Sequence, residues 1–368
     1  MAILEIMGVA LATTIACIIP GVFLVLRGVA MMSDAISHAA LLGIVGVFFV
    51  IHRLDSPLFI VGAAMVGVLT VSMTEWLIQS GRVKKDAAIG LVFPLFFAIA
   101  VILITRFAGQ IHLDTDAVLL GEIAFAPFDR LIINGIDFGP KSLVVMGIIA
   151  TINAILVKVF YKELSVSTFD PGLAMSLGIS PMLIHYMLMI VTSVTAVGAF
   201  NAVGSILVVA LMITPPATAY LLTNRLSTMV GMSALIGALS AGAGVIVAIG
   251  LDVSISGAIA ALTGILFGLA LFISPKSGVI PKMILAQRQR LEFSLILLLV
   301  QLLSHEGCDT ACEENTIKNI VMHMKWTPKR ATVVVRHGVA SGYLVADSGY
   351  LQLTELGRAR ARREMVRF

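Results

Sequence analysis

Asp34 and His38 stand four residues apart in an otherwise apolar stretch. That spacing projects both side chains from one face of a helix. A carboxylate oxygen beside an imidazole nitrogen suits Mn, Fe or Zn better than Ca or Mg. Ionisable groups inside a membrane segment are costly and by default mark a site or a pathway. The competing reading is local: Asp34 caps a helix that restarts after Gly28, and His38 bonds a neighbouring carbonyl. Two ligands do not fill a coordination sphere. Ser37, Glu122, His185, Asn201 and Thr214 are the other polar groups near apolar segments. Each reads better as structural: His185, near the start of its segment, is expected to make a hydrogen bond, and Asn201 lines a pathway or satisfies a turn.

A second group, His305, Glu306, Cys308 and Cys312, lies far from the first. Thiolate and imidazole are good metal ligands, yet one C-x-x-x-C without a second pair is a weak signal. An incidental role is the stronger reading. Lys329, Arg330, Arg336 and His337 cluster where a winged-helix protein reads DNA. The same charge serves as a solvated face or one against anionic lipid, so nucleic acid is the weaker partner. No segment reads G-x-x-x-x-G-K-[ST]; the nearest Lys-Ser pair, Lys141-Ser142, follows Pro140. The chain is therefore not expected to hydrolyse ATP, and any ATP energy enters through a partner. No covalently bound cofactor is expected.

The elements that must hold these groups are set by composition. Apolar residues make up 59% of the 368 and charged residues 12%, against about a quarter in soluble domains. A soluble fold cannot bury that much apolar surface. A spanning helix needs about 20 mainly apolar residues. Such segments fall at 6–26, 29–51, 58–79, 87–107, 142–160, 182–200, 203–222, 228–250 and 254–273, giving eight or nine helices. The first lacks a basic leader region and reads as a retained membrane helix. Later segments are rich in small residues that let helices approach closely, as in Gly264-Ile265-Leu266-Phe267-Gly268. Cys17 reads as plain packing, and three cysteines make no disulfide framework.

Basic residues orient the chain. Arg27, Arg82, Lys84, Lys85, Lys158, Lys162, Arg225, Lys276 and Lys282 fall on one side. Arg53, Arg106, Arg130 and Lys141 fall on the other, with Asp114, Asp116 and Glu122. Lys and Arg favour the cytoplasmic side, so nine helices put the amino terminus outside and the carboxyl terminus inside. The stretch 108–140 is then an outer segment with a short amphipathic piece, Val118 to Phe128, and turns at Asn134-Gly135 and Gly139-Pro140. The stretch 161–181 is a cytoplasmic loop in which Gly172 to Ile179 forms a short helix, with Asp170-Pro171 as cap and first turn.

Composition changes after Pro281, which divides the chain into a membrane domain, 1–282, and a soluble domain, 283–368. The second reads as helices over 288–304, 314–325 and 328–338. A hairpin turning at Asp347-Ser348-Gly349 and a final helix capped by Thr354 complete the outline of a winged helix. The expected fold is an all-α polytopic membrane protein with a small α+β winged-helix-like cytoplasmic domain.

Several motifs in register carry a resemblance. They are Leu26-Arg27-Gly28 with Met31-Met32-Ser33-Asp34-Ala35-Ile36-Ser37-His38-Ala39, Leu120-Gly121-Glu122-Ile123, Phe169-Asp170-Pro171 through Ala174 and Leu177-Gly178-Ile179, and Leu211-Met212-Ile213-Thr214-Pro215-Pro216-Ala217-Thr218-Ala219. Over about residues 5–280 the chain resembles the permeases of the manganese/zinc/iron ATP-binding-cassette importers. Pro215-Pro216 departs slightly from the commoner Pro-Ala. The resemblance implies a second permease subunit, identical or not, a pair of cytoplasmic ATPases, an extracytoplasmic metal-binding protein and a place in the cytoplasmic (inner) membrane. It makes Asp34 and His38 metal-pathway residues. It makes Phe169, Asp170, Pro171, Ala174, Leu177, Gly178 and Ile179 the element that couples to the ATPase. The ending Leu351-Gln352-Leu353-Thr354-Glu355-Leu356-Gly357-Arg358 is similar to the wing and following helix of repressors of the diphtheria-toxin-repressor type. The rival readings are a membrane-tethered transcription regulator and an ion-coupled secondary transporter with inverted repeats.

Overall fold

The computed structural model describes residues 2–51, 58–107, 123–133, 136–274, 278–306, 316–347 and 350–365. The chain forms two compact units, Met1–Gly278 and Val279–Phe368.

In the first unit, nine of the described helices are long and apolar enough to cross a membrane. They are α1 (Ala2–Leu26), α2 (Met32–Ile51), α3 (Leu58–Gln79), α4 (Lys85–Phe107), α5 (Lys141–Val159), α8 (Pro181–Val203), α9 (Ser205–Leu222), α10 (Leu226–Leu251) and α11 (Ile255–Ile273). Two short helices, α6 (Tyr161–Phe169) and α7 (Pro171–Ser176), connect α5 to α8. The helix α1 is the centre of the unit and packs against α5, α8, α9 and α10, while α2 packs against α3, α4 and α8. The core they share includes Phe23, Leu24, Met32, Ile36, Met146, Met189, Leu207 and Leu211.

Helices dominate because hydrocarbon offers no partner for a free amide, and helix formation satisfies the backbone within the segment. Buried hydroxyls mostly obey the same rule, Thr13 being an exception whose Oγ1 has no hydrogen-bond partner among the described residues. Thr14, Thr74, Thr192 and Ser233 each donate to the carbonyl four residues earlier. Asn153 is fully enclosed and donates to the Ala16 carbonyl at 3.0 Å and to the Thr195 hydroxyl at 2.8 Å, tying α5 to α1 and α8.

Three features differ from the sequence expectation. The segment before α5, expected as an amphipathic piece followed by turns in an all-α domain, contains a pair of strands. A 3-10 turn (Ile123–Phe128) leads into β1 (Arg130–Ile133), which pairs antiparallel with β2 (Ile136–Pro140). Arg130 fixes this hairpin, donating to Asp137 at 2.6 Å and to Glu5 of α1 at 3.0 Å. Secondly, the stretch 161–169 is helical rather than a loop. Thirdly, the close backbone approaches do not use Gly264 and Gly268, where an added Cβ would meet nothing. Gly43 is in that position instead, pressed against the backbone of Gly62 and Ala63 where α2 meets α3. Val118 to Glu122 and the Asn134-Gly135 turn lie outside the described residues.

The second unit opens with α12 (Val279–Ser304). It starts earlier than the expected 288 because Pro281 occupies the first turn, where the missing N–H breaks no bond. This also puts the unit boundary before the expected 282/283 division. Then come α13 (Ile317–His323), α14 (Pro328–Ala340), the antiparallel strands β3 (Leu344–Asp347) and β4 (Tyr350–Leu353), and α15 (Glu355–Met365). Leu295, Leu298, Leu299 and Leu302 of α12 form a core with Val334, Leu344, Leu351 and Leu353. Thr354 caps α15 by accepting the Gly357 N–H at 3.1 Å.

Two outcomes follow from this packing. Gly43→Leu forces α2 and α3 apart and is expected to destabilise the unit by about 1–3 kcal/mol; an unchanged thermal midpoint in detergent would contradict the contact. In the hairpin, Arg130 above all, with the Gly139 N–H, holds the Asp137 carboxyl below its ordinary range. A depressed pKa stabilises above the ordinary Asp range and is lost as pH falls through the lowered value. Hydrogen-exchange protection of the hairpin should therefore fall on acidification, and Asp137→Asn should remove that pH step.

Candidate functional site

The candidate site begins with a helix stop. The helix α1 ends in a turn where the Gly28 N–H bonds the Val25 carbonyl and the Val29 N–H bonds the Leu24 carbonyl. Gly28 sits at φ +66°, in the left-handed region that such a stop requires. The chain then reverses into α2, and Asp34 falls in its first turn, where a carboxylate is favoured by the helix dipole. His38 follows one turn later.

The structure brings these two together. His38 Nε2 lies 3.4 Å from Asp34 Oδ1, and the side chains are 29% and 26% exposed, so neither is sealed in the core. The His38 ring stacks on Phe93 at 5.8 Å between centroids and meets Phe97 edge-on at 6.0 Å, both from α4. The aromatic walls set the ring's orientation and exclude water from one side of the pair. Two donor atoms 3.4 Å apart subtend about 108° at an ion bound at about 2.1 Å from each, close to the tetrahedral angle. The separation of the pair is therefore compatible with both atoms binding one transition-metal ion.

The other sequence candidates do not join it. Ser37 is buried and donates to the Ser33 carbonyl at 2.9 Å, within its own helix. Thr214 is half-buried on α9. Glu122 and the side chain of Asn201 lie outside the described residues. No group of three or more His, Cys, Asp or Glu side chains that could hold a metal occurs among the described residues. Remaining ligands for an ion at Asp34 and His38 are then hydroxyl, carbonyl or water oxygens, or groups outside the described set.

The coupling candidates fall on a compact projection. Asp170 caps α7, its Oδ1 accepting the Leu173 N–H at 2.9 Å, and Pro171 is the first helical residue. The helix ends at Ser176, short of the expected Ile179. Gly178, at φ +79°, donates to the Met175 carbonyl, and Ile179 donates to the Ala174 carbonyl. Leu177-Gly178-Ile179 is therefore the stop signal and not more helix. Ala174 is buried and Ile179 packs on the core. Phe169 (62% exposed), Leu173, Met175 and Leu177 (61%) point outward, an apolar face on a polar segment.

Sequence reasoning missed a buried polar cluster behind this projection. Arg27 donates to the Ser167 hydroxyl at 2.8 Å and the Thr168 hydroxyl at 3.1 Å, and its Nη1 lies 3.5 Å from His185 Nδ1. His185 Nε2 in turn approaches Glu75 Oε1 at 3.1 Å, obliquely and so as an electrostatic contact rather than a straight hydrogen bond. Glu75 was available as a signal, since it is a lone carboxylate in the apolar run of α3.

In the second unit, the His305 Nδ1 lies 2.9 Å from the Gln301 carbonyl, one turn back in α12. Glu306 accepts from Arg358 at 2.6 Å, and Cys308 and Cys312 lie outside the described residues. Arg330 donates to Ser294 and lies over the Trp326 ring, and His337 meets Glu292 at 3.1 Å. Two of the four basic candidates are thus engaged inside the unit, while Lys329 and Arg336 are exposed.

Nine membrane-length helices among the described residues define a polytopic membrane protein. Residues 2–274 match the ABC 3 transport family, and the chain belongs to that family. It is 42% identical over 354 residues to "Zinc transport system membrane protein TroD" of Treponema pallidum (strain Nichols), covering 96% of each chain, so that match runs into the second unit. It is 48% identical over 268 residues to "Manganese transport system membrane protein MntD" of Bacillus subtilis (strain 168), covering 73% of this chain and 90% of that one. Among solved structures, PsaBC from Streptococcus pneumoniae in complex with Fab matches with a TM-score of 0.61 at 30% identity, over 74% of this chain and 92% of that one. The chain is a transporter subunit and not an enzyme.

If Gly178 is the stop that aims Leu177 outward, a side chain there is strained whatever the space. Gly178→Val is expected to lower the yield of assembled transporter at least about threefold while Gly172→Ala leaves it near wild type, read by co-purification of the partner ATPase. Equal yields would dissociate the turn from docking.

Proposed function

We propose that this chain is the permease of an importer for a divalent transition metal, manganese or zinc ahead of iron, driven by ATP hydrolysed in a separate partner. The observation that carries the reading is the Asp34–His38 donor pair, 3.4 Å apart on one helix of a chain of this transport family. Zinc and manganese are the cargoes named for the two relatives above, and both accept an imidazole nitrogen with a carboxylate oxygen. The ion is delivered by an extracytoplasmic metal-binding protein. It passes between two permease subunits and meets Asp34 and His38, which replace part of its hydration shell. Without such ligands a divalent charge in hydrocarbon is prohibitively costly.

The protein lies in the inner membrane, with the α6–α7 side in the cytoplasm as the basic residues require. There Phe169, Leu173, Met175 and Leu177 supply the apolar face for the ATPase pair. Asp170, Pro171, Ala174, Gly178 and Ile179 give that face its shape. The second unit, with its helices, β3–β4 hairpin and capped final helix, is a winged-helix-like domain on the cytoplasmic side. Its self-contained ion pairs leave lipid or protein as better partners than nucleic acid.

Radiolabelled Mn and Zn uptake by the complete transporter tests this reading. Asp34→Ala and His38→Ala should each lower uptake at least about tenfold at matched membrane expression, with the ATPases still bound. The ion whose uptake is lost identifies the cargo. Wild-type uptake in both variants would sink the site. Phe169→Ala with Leu177→Ala should release the ATPases; their retention would sink the docking assignment.

A further inference from the structure

The part-buried cluster around Arg27 lies outside the proposed pathway pair and docking face, yet it adjoins the base of the second and the turn that leads to the first. Arg27 is the last residue before the Gly28 stop, seven positions ahead of Asp34. Its guanidinium reaches across to Ser167 and Thr168, the residues that precede the Asp170 cap of α7. On its other side lies His185 at the start of α8, and beyond it Glu75 near the end of α3, the helix packed along α2. The guanidinium thus ties the segment before α7 to the end of α1 and to α8, and His185 extends the contact to α3. These groups line a cavity of about 490 Å³, which leaves them room to move relative to one another.

The chemistry decides between two uses of this cavity. Histidine and glutamate 3.1 Å apart resemble a second metal stop. However, Arg27 and Lys85 line the same cavity against one carboxylate, so its charge is unfavourable for a divalent cation. Arginine facing Nδ1 also favours the tautomer with the proton on Nε2, which removes the lone pair a metal would need. A fork with several donors in a fixed plane is instead well suited to holding separate elements in register.

We propose that Arg27 is a positioning residue that transmits the ATP-driven movement of the α6–α7 projection to the α1–α2 turn, and so to Asp34 and His38. The inference rests on the docking assignment made above for α7. When the projection shifts with the ATPases, Ser167 and Thr168 carry the guanidinium with them. The Gly28 turn then moves as the joint between α1 and α2, and His185 and Glu75 pass the same displacement to α8 and α3.

The test uses the complete transporter in proteoliposomes, with ATP hydrolysis measured with and without the metal-loaded binding protein, alongside uptake. Arg27→Gln should keep its ATPases but lose stimulation by the loaded binding protein, with metal moved per ATP falling about fivefold or more, the low end of site-to-site couplings. Arg27→Lys should restore part of the stimulation, because an ammonium keeps the charge but not the fork. The variant Ser167→Ala/Thr168→Val removes only two hydroxyls; it should lower stimulation as well, and combining it with Arg27→Gln should add nothing further. A wild-type stimulation ratio in either Arg27→Gln or the hydroxyl variant overturns the proposal. So does additive loss in the combination, and so does release of the ATPases by the hydroxyl variant, which would make the cluster a scaffold for docking alone. ATPases retained by Phe169→Ala/Leu177→Ala remove the docking premise itself, a result distinct from all of these.

Discussion

A polar group without a partner in hydrocarbon costs several kcal/mol, and this requirement governs the first unit at every scale. It makes the spans helical and turns Thr14, Thr74 and Thr192 back onto their own carbonyls. It also restricts Asn153 to a place where two acceptors from other helices converge. Under that rule a side chain that stays half-exposed and ionisable within a span is the exception. Asp34 and His38 are such an exception, facing each other and the Phe93 and Phe97 rings.

The same rule explains the position of the second polar group of interest. Arg27 lies just past the end of α1, where Gly28 closes the helix and two carbonyls are already bonded by the turn. Its guanidinium is therefore free to serve side chains rather than its own backbone. Ser167, Thr168 and His185 take that role, and each comes from a different stretch of chain than the helix Arg27 terminates. The helix stop that precedes α2 and the segment that leads into α7 are in this way joined by one set of polar contacts at one end of the bundle.

Much of this was legible from local patterns and the rest was not, for a physical reason. Span positions follow from apolar length, and the Asp34–His38 pairing follows from the four-residue spacing, because both are set within a single helix. The Asp170-Pro171 start was legible for the same reason, but Gly178 at positive φ ends α7 earlier than alternation alone suggested. What escaped depends on neighbours. The helix α6 is too polar to advertise itself, and the β1–β2 hairpin forms where Arg130 can reach Glu5, 125 residues away. Glu75 gains meaning only from His185, and Gly264 and Gly268 match a packing motif yet meet no described residue of this chain within 4 Å, whereas Gly43, in the less conspicuous Ala39-x-x-x-Gly43, packs on a backbone.

On the proposed reading of Asp34 and His38 as metal ligands, their placement on one helix limits how transport is controlled. Because Asp34 and His38 are four residues apart on one helix, a rigid movement of α2 leaves the spacing of their Cβ atoms unchanged, and only side-chain rotation alters the distance between the donor atoms. Movement of α2 as a body therefore does not release an ion by pulling the two residues apart. Affinity has to change through what other elements supply, namely the remaining ligands, the water admitted to the pair and the aromatic walls from α4. A movement that slides α2 past Phe93 and Phe97 exposes the pair to water and weakens its hold while leaving the two donors in place. A transporter needs a site that binds well enough to admit the ion and poorly enough to let it leave. Two ligands fixed on one helix, completed by groups on others, meet that need without unfolding a turn of α2.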